Sequence, residues 1–215
     1  MKIGVLGTGM VGHALASRLV QLGHQVRMGA REATNEKAAA WVKQAGTGAS
    51  QGTFVDAAGF GDVAFHATVG QAAVELLSPC AAALRGKVLI DVSNPLDFSK
   101  GMPPTLFISG ADSLGERIQR ALPDTRVVKA LNTVNANVMV NPGVVKGDHD
   151  LFVSGNDPAA KKQVSELLVG FGWKPAQIVD LGDITTARGT EAYLMLWIRL
   201  WGAVGSPNFN IKVVR

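Results

Sequence analysis

The residues with the clearest chemical meaning are three glycines near the start of the chain, in the segment Gly7-Thr8-Gly9-Met10-Val11-Gly12. When this spacing follows a strand and opens a helix, the first glycine makes a tight turn and the second lets the backbone approach a pyrophosphate. The third lets the helix pack closely on the strand. The pattern therefore predicts a dinucleotide site, and the alternative is a glycine-rich turn without a ligand.

The flanking residues agree with a strand, a turn and a helix. The apolar run 3–6 precedes the glycines, and Val11, Leu15 and Leu19 recur after them at helical spacing. Gly23 falls where a helix C-terminus is expected, and residues 24–28 predict a second strand. Together these features predict the first half of a βαβ unit.

The residues after the second predicted strand bear on which dinucleotide binds. An NAD site usually has an acidic residue here that accepts from the ribose 2′-hydroxyl, whereas this chain has Ala30 and Arg31. The guanidinium of Arg31 could bond two oxygens of a 2′-phosphate, and Lys37 could add a second positive charge. This pattern favours NADP over NAD. In the alternative interpretation Arg31, which Glu32 follows directly, is only a solvated surface residue.

Three further strand ends carry small or polar residues. Ligands of doubly wound sheets bind beyond the carboxyl ends of the strands, so these residues are candidates for contacts with a nicotinamide or a substrate. They are also common turn residues that bond their own backbone, and this alternative stays open. The candidates are Ala67, Thr68 and Val69; Asn94 and Pro95; and Asn132 and Thr133.

Strand and helix patterns alternate along the chain and predict an α/β fold, a Rossmann-like doubly wound parallel sheet. We expect a dinucleotide-binding domain over residues 1–135 and a small C-terminal α/β lobe, packed on it, over 136–215. The lobe would end in a long helix and a short extended tail. The strands are expected near 53–55, 62–68, 87–92, 126–131, 151–154 and 177–180, the helices near 71–84, 113–122, 158–171 and 185–204, and the tail over 208–215.

Composition narrows the class of protein. The chain has 215 residues, 47% of them hydrophobic, and a formal charge of +4 with dispersed basic residues, so we expect no nucleic-acid partner. The single cysteine, Cys80, excludes an internal disulfide framework and favours a reducing cytoplasm. The apolar run 192–204 would reach only about 20 Å as a helix, short of a bilayer core of about 30 Å, so no membrane is expected.

Titratable residues give little sign of a nucleophile or a metal site. His66 lies on a predicted buried strand and is interpreted as a core histidine. His13 follows the glycine turn and is interpreted as part of the first helix rather than as a proton donor. The run 148–150, Asp-His-Asp, is interpreted as a solvated turn before a strand. No histidine and cysteine cluster has the spacing of metal ligands, so we predict no metal.

The chain resembles the NADPH-dependent deazaflavin (coenzyme F420) reductase family over nearly its whole length. It is also similar to the reductase domain of the six-transmembrane ferric reductases. The motifs that carry the resemblance are GTGMVG, MGAR, DVSNPL, VVKALNT, FVSGNDPAAKKQV and TARGTEAYLMLWIRL. Two positions depart from the family pattern, with Ala30 in place of a frequent serine and Asn132 in place of a histidine.

The resemblance implies hydride transfer between NADPH and a deazaflavin such as F420, or a flavin, FMN or FAD. It implies that Thr8, Gly9, Met10 and Val11 contact the pyrophosphate and that Ala30, Arg31 and Lys37 contact the 2′-phosphate. It further implies that Thr68 and Val69 lie near the nicotinamide, and that Asn132 and Thr133 face the second ring, as candidate catalytic residues.

Two other functions stay open on the sequence. One is a β-hydroxyacid or imino-acid reductase that completes its site with a partner subunit, and the other is a non-catalytic NADP sensor. Leu194, Trp197, Ile198 and Trp201 would form an apolar face on the last helix. This face suggests a homodimer, or else it packs against its own domain.

Overall fold

The computed structural model describes residues 1–214, with eight strands in one sheet and two in a separate hairpin. The sheet contains β1 (Lys2–Leu6), β2 (Gln25–Ala30), β3 (Ala49–Thr53), β4 (Val63–His66), β5 (Val88–Asp91), β8 (Arg126–Ala130), β9 (Leu151–Gly155) and β10 (Ile178–Asp180). The hairpin consists of β6 (Leu96–Asp97) and β7 (Thr105–Leu106), which run antiparallel.

Helices connect the strands and cover both faces of the sheet. They are α1 (Met10–Gln21), α2 (Glu36–Ala45), α3 (Phe54–Phe60), α4 (Ala73–Leu77), α5 (Ala81–Leu84), α6 (Leu114–Ala121), α7 (Ala136–Val140), α8 (Pro158–Phe171), α9 (Ala187–Ala192) and α10 (Leu194–Val204). Short 3-10 turns join several of them. Among residues 1–214, no helix is both long and apolar enough to cross a bilayer.

The strand order is β10-β9-β8-β5-β4-β1-β2-β3, and all neighbours are parallel except β8 and β9. The chain passes from β1 to β2 and β3 on one side, then crosses to β4 and β5 on the other. A crevice forms where the direction of winding reverses, here between β1 and β4 at their carboxyl ends. The predicted Rossmann-like sheet is confirmed.

The central strands are mostly apolar because helices shield the sheet from water on both sides. All four residues of β4 and of β5 are buried. One core cluster packs α1, α2, α7 and α8 against the sheet, and a second packs α3 to α6 against the other face. This double cover fixes the strand ends that form the crevice.

The chain beyond residue 135 extends the same sheet, because β9 pairs with β8 and β10 pairs with β9. A domain boundary at residue 135 therefore stays a prediction. The expected helix 158–171 is found with these bounds as α8, with Asp157 capping its N-terminus through the Ala160 amide.

Several predicted elements were wrong in detail. The strand expected at 53–55 ends at Thr53, whose side chain forms a capping box with Asp56 and starts α3. The helix expected over 71–84 is four short pieces, with Pro79 at one break. The helix expected over 185–204 starts as a 3-10 turn and is interrupted at Tyr193.

The prediction of a solvated turn at Asp148, His149 and Asp150 was also wrong, because His149 and Asp150 are buried. The tail expected as an extended piece forms no strand within the described residues, but it packs on this segment. Lys212 donates to Asp150 at 2.8 Å, and Asn210 lies 2.9 Å from the His149 ring. Residue 215 of that predicted tail lies outside the described residues.

Candidate active site

The glycine turn between β1 and α1 is packed tightly on one side and open on the other. A Cβ atom on Gly7 would lie 2.4 Å from the Ala67 carbonyl oxygen, and one on Gly12 would lie 2.1 Å from the Gly7 carbonyl oxygen. Gly7 also has a φ of 131°, which strongly favours glycine. At Gly9, by contrast, a Cβ would meet nothing within 4 Å. This open space is where the sequence predicts the pyrophosphate.

A cleft of about 280 Å³ runs from this turn along the carboxyl ends of β1, β2 and β4. It brings together the predicted residues 7–9 of the turn and those at the ends of β2 and β4, whereas Met10, Gly12, Lys37, Asn132 and Thr133 do not line it. Phe54, Asn35, Ala72 and Leu76 also line it, and the sequence analysis did not identify them. The lining residues are Gly7, Thr8, Gly9, Ala30, Arg31, Asn35, Phe54, Ala67, Thr68, Val69, Ala72 and Leu76.

Positive charge is available at the β2 end of this cleft. Arg31 is exposed and follows β2, and Lys37 is exposed in the first turn of α2. Within residues 1–214, neither side chain forms a salt bridge, and neither does the adjacent Glu32. Ala30 is buried and presents no hydroxyl. The two cations can therefore bind a phosphate without first breaking an ion pair.

A second cleft, of about 230 Å³, adjoins the first at Ala67, Thr68 and Val69. Val11 and Asn94 line it as well, while Met10 is 82% exposed beside the turn. Two apolar side chains at this cleft are unusually accessible, Val69 at 67% and Phe98 at 55%. Phe98 was missed because it lies in the β6–β7 connection, where no periodic pattern marks it.

Asn132 and Thr133 follow β8 and are both buried. Asn132 and Asn94 form two hydrogen bonds, from Asn132 Nδ2 to Asn94 Oδ1 and from Asn94 Nδ2 to the Asn132 carbonyl, each 2.9 Å. Leu131 precedes them with a φ of 65°, a conformation that is uncommon for a residue other than glycine. This turn directs Asn132 towards Asn94. Pro95 is buried, and its carbonyl accepts from the Phe107 amide.

A buried polar cluster lies directly beneath the clefts. His66 Nδ1 is 2.8 Å from Asp91 Oδ1, and Lys129 Nζ lies 2.8 Å from Asp91 Oδ2 and 2.7 Å from Glu191 Oε1. Burial alone would raise the pKa of Asp91, but the Lys129 ammonium and the hydrogen bond from His66 hold it well below the usual range. The expected core position of His66 is confirmed.

Lys129 is protonated despite its burial. Burial lowers the pKa of a lysine, yet the carboxylates of Asp91 and Glu191 outweigh this effect and raise the pKa of Lys129 above its ordinary value. Cys80 behaves differently, because burial raises the pKa of its thiol to about 11 and no cation opposes it. Cys80 therefore remains a protonated thiol.

The fold and the two clefts define a dinucleotide-binding oxidoreductase of the Rossmann class. Residues 2–95 match the family model described as NADP oxidoreductase, coenzyme F420-dependent. The F420-dependent NADP reductase of Methanothermobacter marburgensis is 33% identical over 210 residues, which cover 93% of this chain and 92% of that protein. The chain belongs to this family of F420-dependent NADP oxidoreductases.

Two further comparisons agree with this membership. A crystal structure of an Arthrobacter sp. FB24 protein, assigned to the F420-dependent NADP reductases, is 48% identical with a TM-score of 0.94, and each chain covers all of the other. Metalloreductase STEAP3 of Rattus norvegicus is 30% identical over 200 residues, or 93% of this chain. The chain spans only 38% of the length of STEAP3.

Proposed function

We propose that this protein transfers a hydride between NADPH and the deazaflavin coenzyme F420. The observation that carries the proposal is the pair of adjoining clefts, which share Ala67, Thr68 and Val69. One cleft has the glycine turn and the free cations that a dinucleotide phosphate requires. The second offers an apolar surface to a flat ring next to it. The names of the relatives support F420 as the acceptor.

The residues present fit NADP, which as the bound cofactor supplies the hydride chemistry. The open space at Gly9 accommodates a pyrophosphate, and Thr8, Met10 and Val11 flank it. Arg31 and Lys37 bind the 2′-phosphate, and Ala30 contributes only its backbone groups. In this scheme the protein contributes placement and a shielded site rather than a nucleophile.

The second cleft binds and orients the acceptor. Val69 and Phe98 offer exposed apolar side chains to its ring, while Asn94, which is bonded to the buried Asn132, supplies a polar group to the cleft. Thr133 and Pro95 are both buried next to these residues in the chain. The protein itself supplies no general acid in this proposal, so single substitutions at Asn132 or Thr133 reduce the rate without abolishing it.

The experiment is NADPH oxidation by the purified protein with F420, FMN or FAD as acceptor, and with NADH as the alternative donor. We expect turnover with NADPH and F420 and little with NADH. Turnover with a flavin alone would replace the proposed acceptor. Tight NADPH binding without turnover on any acceptor would favour a nucleotide sensor instead.

We also propose that two copies associate through α10. This helix has only one buried residue, Leu194, while Leu196 is 55%, Trp201 40% and Val204 57% exposed. Sedimentation velocity should show a dimer that Trp201→Glu dissociates, with Val169→Glu on α8 as the control for an exposed apolar residue elsewhere. A monomeric wild type would contradict the proposal.

A cytoplasmic location of the protein also stays a prediction.

A further inference from the structure

A continuous series of hydrogen bonds connects the second cleft to the far side of the sheet. Thr68 Oγ1 lies 2.6 Å from His66 Nε2, and His66 Nδ1 lies 2.8 Å from Asp91 Oδ1. From Asp91 the series continues to Lys129, and from Lys129 to Glu191. Four elements, β4, β5, β8 and α9, thus contribute to a series that ends on one half-buried hydroxyl in the cleft.

The series contains one ammonium and two carboxylates, and each of these charged groups has further hydrogen-bond partners. Lys129 pairs with Asp91 and also donates to the Ser93 carbonyl at 2.7 Å. Glu191 accepts hydrogen bonds from the Leu114 and Gly115 amides, at 2.7 and 3.0 Å, at the N-terminus of α6. The positive end of that helix offsets the second carboxylate. Within residues 1–214 the Thr68 hydroxyl has a single hydrogen-bond partner, His66 Nε2, so a lone pair on that nitrogen gives the hydroxyl proton its acceptor.

The direction of each hydrogen bond then follows from chemistry. The ionised Asp91 can only accept, so His66 Nδ1 donates to it. The lone pair of the ring then lies on Nε2, where it accepts from the Thr68 hydroxyl, whose proton has no other acceptor in residues 1–214. Because the only proton on that hydroxyl is already donated, the Thr68 oxygen can only accept a hydrogen bond from a ligand in the cleft.

We propose that His66 is a positioning residue that fixes Thr68 as the acceptor for the amide N–H of the nicotinamide carboxamide. This inference rests on the NADP-binding part of the proposed function and not on the identity of the hydride acceptor. A ligand that lacks an N–H at this position loses the hydrogen bond. The oriented hydroxyl thereby selects a carboxamide over a ketone of similar shape.

The test is isothermal titration of NADP and of its 3-acetylpyridine analogue, in which a methyl group replaces the amide nitrogen. Wild type should bind NADP up to about tenfold more tightly, the range for one hydrogen bond. Thr68→Val should remove this preference, and Thr68→Ser, which keeps the hydroxyl, should retain it. Arg31→Ala is the matched control, because it should weaken both ligands equally.

His66→Asn tests the positioning role. The shorter amide can still donate to Asp91 but does not reach Thr68, so the preference for NADP should fall as it does in Thr68→Val. In the double variant the two effects should not add, because they act through one hydroxyl. If His66→Asn fails to fold, the Thr68→Val and Thr68→Ser pair still tests the inference through the half-buried Thr68.

The outcomes are distinguishable. Equal affinity of wild type for both ligands would overturn the inference, and would indicate a Thr68 hydroxyl that donates to the shared carbonyl. Survival of the preference in Thr68→Val, or additive effects in the double variant, would overturn it as well. Failure of wild type to bind either dinucleotide would instead refute the proposed function.

Discussion

Arg31 is the residue on which we expect the choice between NADP and NAD to depend most. It is exposed at the end of β2, no carboxylate neutralises it in residues 1–214, and no acidic residue stands at the strand end to hold a ribose 2′-hydroxyl. The chain therefore offers a charge to a phosphate group and little that selects the dinucleotide lacking it. We expect Lys37, on the next helix, to add a second positive charge.

We predict that Arg31→Ala weakens NADP binding by about 10- to 100-fold, the value of a charge-assisted hydrogen bond of about 1.5–3 kcal/mol. NAD lacks the 2′-phosphate, so its affinity should change little. Titration calorimetry with both dinucleotides measures the difference. Glu32→Ala, one residue further along, serves as the control, and an equal loss for NADP and NAD would contradict the role.

The glycines of the turn provide a matched pair of substitutions. Gly9→Ala places its methyl group in open space, so the apo protein should keep its thermal midpoint while NADP affinity falls. Gly12→Ala places a methyl group 2.1 Å from the Gly7 carbonyl oxygen, so the fold itself should be destabilised. Thermal unfolding with and without NADP separates the two effects. A destabilised apo Gly9→Ala would show that its space is needed by the protein itself.

At the level of elements, the sequence predicted the structure best where local signals are strong. The glycine turn, the buried strands and the Asp157-capped α8 each carry a local pattern that tertiary contacts do not override. Thr53 was misjudged because its capping box with Asp56 outweighs the β propensity of the residues that follow. Asn94 and Asn132, 38 residues apart, could be suspected as site residues but not paired, since that contact depends on the turn at Leu131.

Helix α9 is fixed to α6 by charges that no local pattern reveals. Glu191 accepts from two amides at the start of α6 and from Lys129, and Arg188 donates to Glu116 at 2.8 Å through Nε. These contacts join the C-terminal part of the chain to the nucleotide-binding half. They explain how a distant residue supports the floor of the cleft.

We predict that Glu191→Gln lowers the free energy of unfolding by about 1.5–3 kcal/mol, the value of buried hydrogen bonds to a charged group, because Lys129 keeps its ion pair with Asp91. The control is Glu166→Gln, which removes an exposed ion pair with Lys162 on α8 and should change stability by at most about 0.5 kcal/mol. Urea unfolding measures both. Similar midpoints for the two variants would show that the buried charge contributes little.

The whole molecule has an acid-sensitive balance of charges. Hydrogen bonds from Arg188, opposed by burial, lower the pKa of Glu116, and Lys129 and His66 together lower that of Asp91 despite its complete burial. Groups whose pKa is lower in the folded state stabilise it above their unfolded pKa, about 4 for these carboxyls. This stabilisation is lost as the pH falls through the folded pKa values, because the unfolded chain then binds more protons.

We therefore predict that the free energy of unfolding falls steadily below about pH 4, where these carboxyls take up protons in the unfolded chain. Urea titrations at a series of pH values give the slope. Arg188→Gln removes the cation next to Glu116, so the free energy of unfolding should fall less steeply with decreasing pH. Arg85→Gln, which removes an exposed ion pair with Asp124, should leave this slope unchanged. Greater stability at pH 3 than at pH 6 would refute the assignment.

The buried Lys129 also restricts how this protein can change over evolutionary time or in design. Its charge is shared by two carboxylates from different elements. Losing Lys129 would leave both carboxylates buried without a cation, and losing either carboxylate would remove one of the two charged partners of Lys129. A neutral, apolar replacement of the group would be tolerated only if its members were exchanged together. We therefore expect this buried arrangement to be retained when the protein changes by single substitutions, in evolution or in design. This expectation does not depend on which hydride acceptor binds in the cleft.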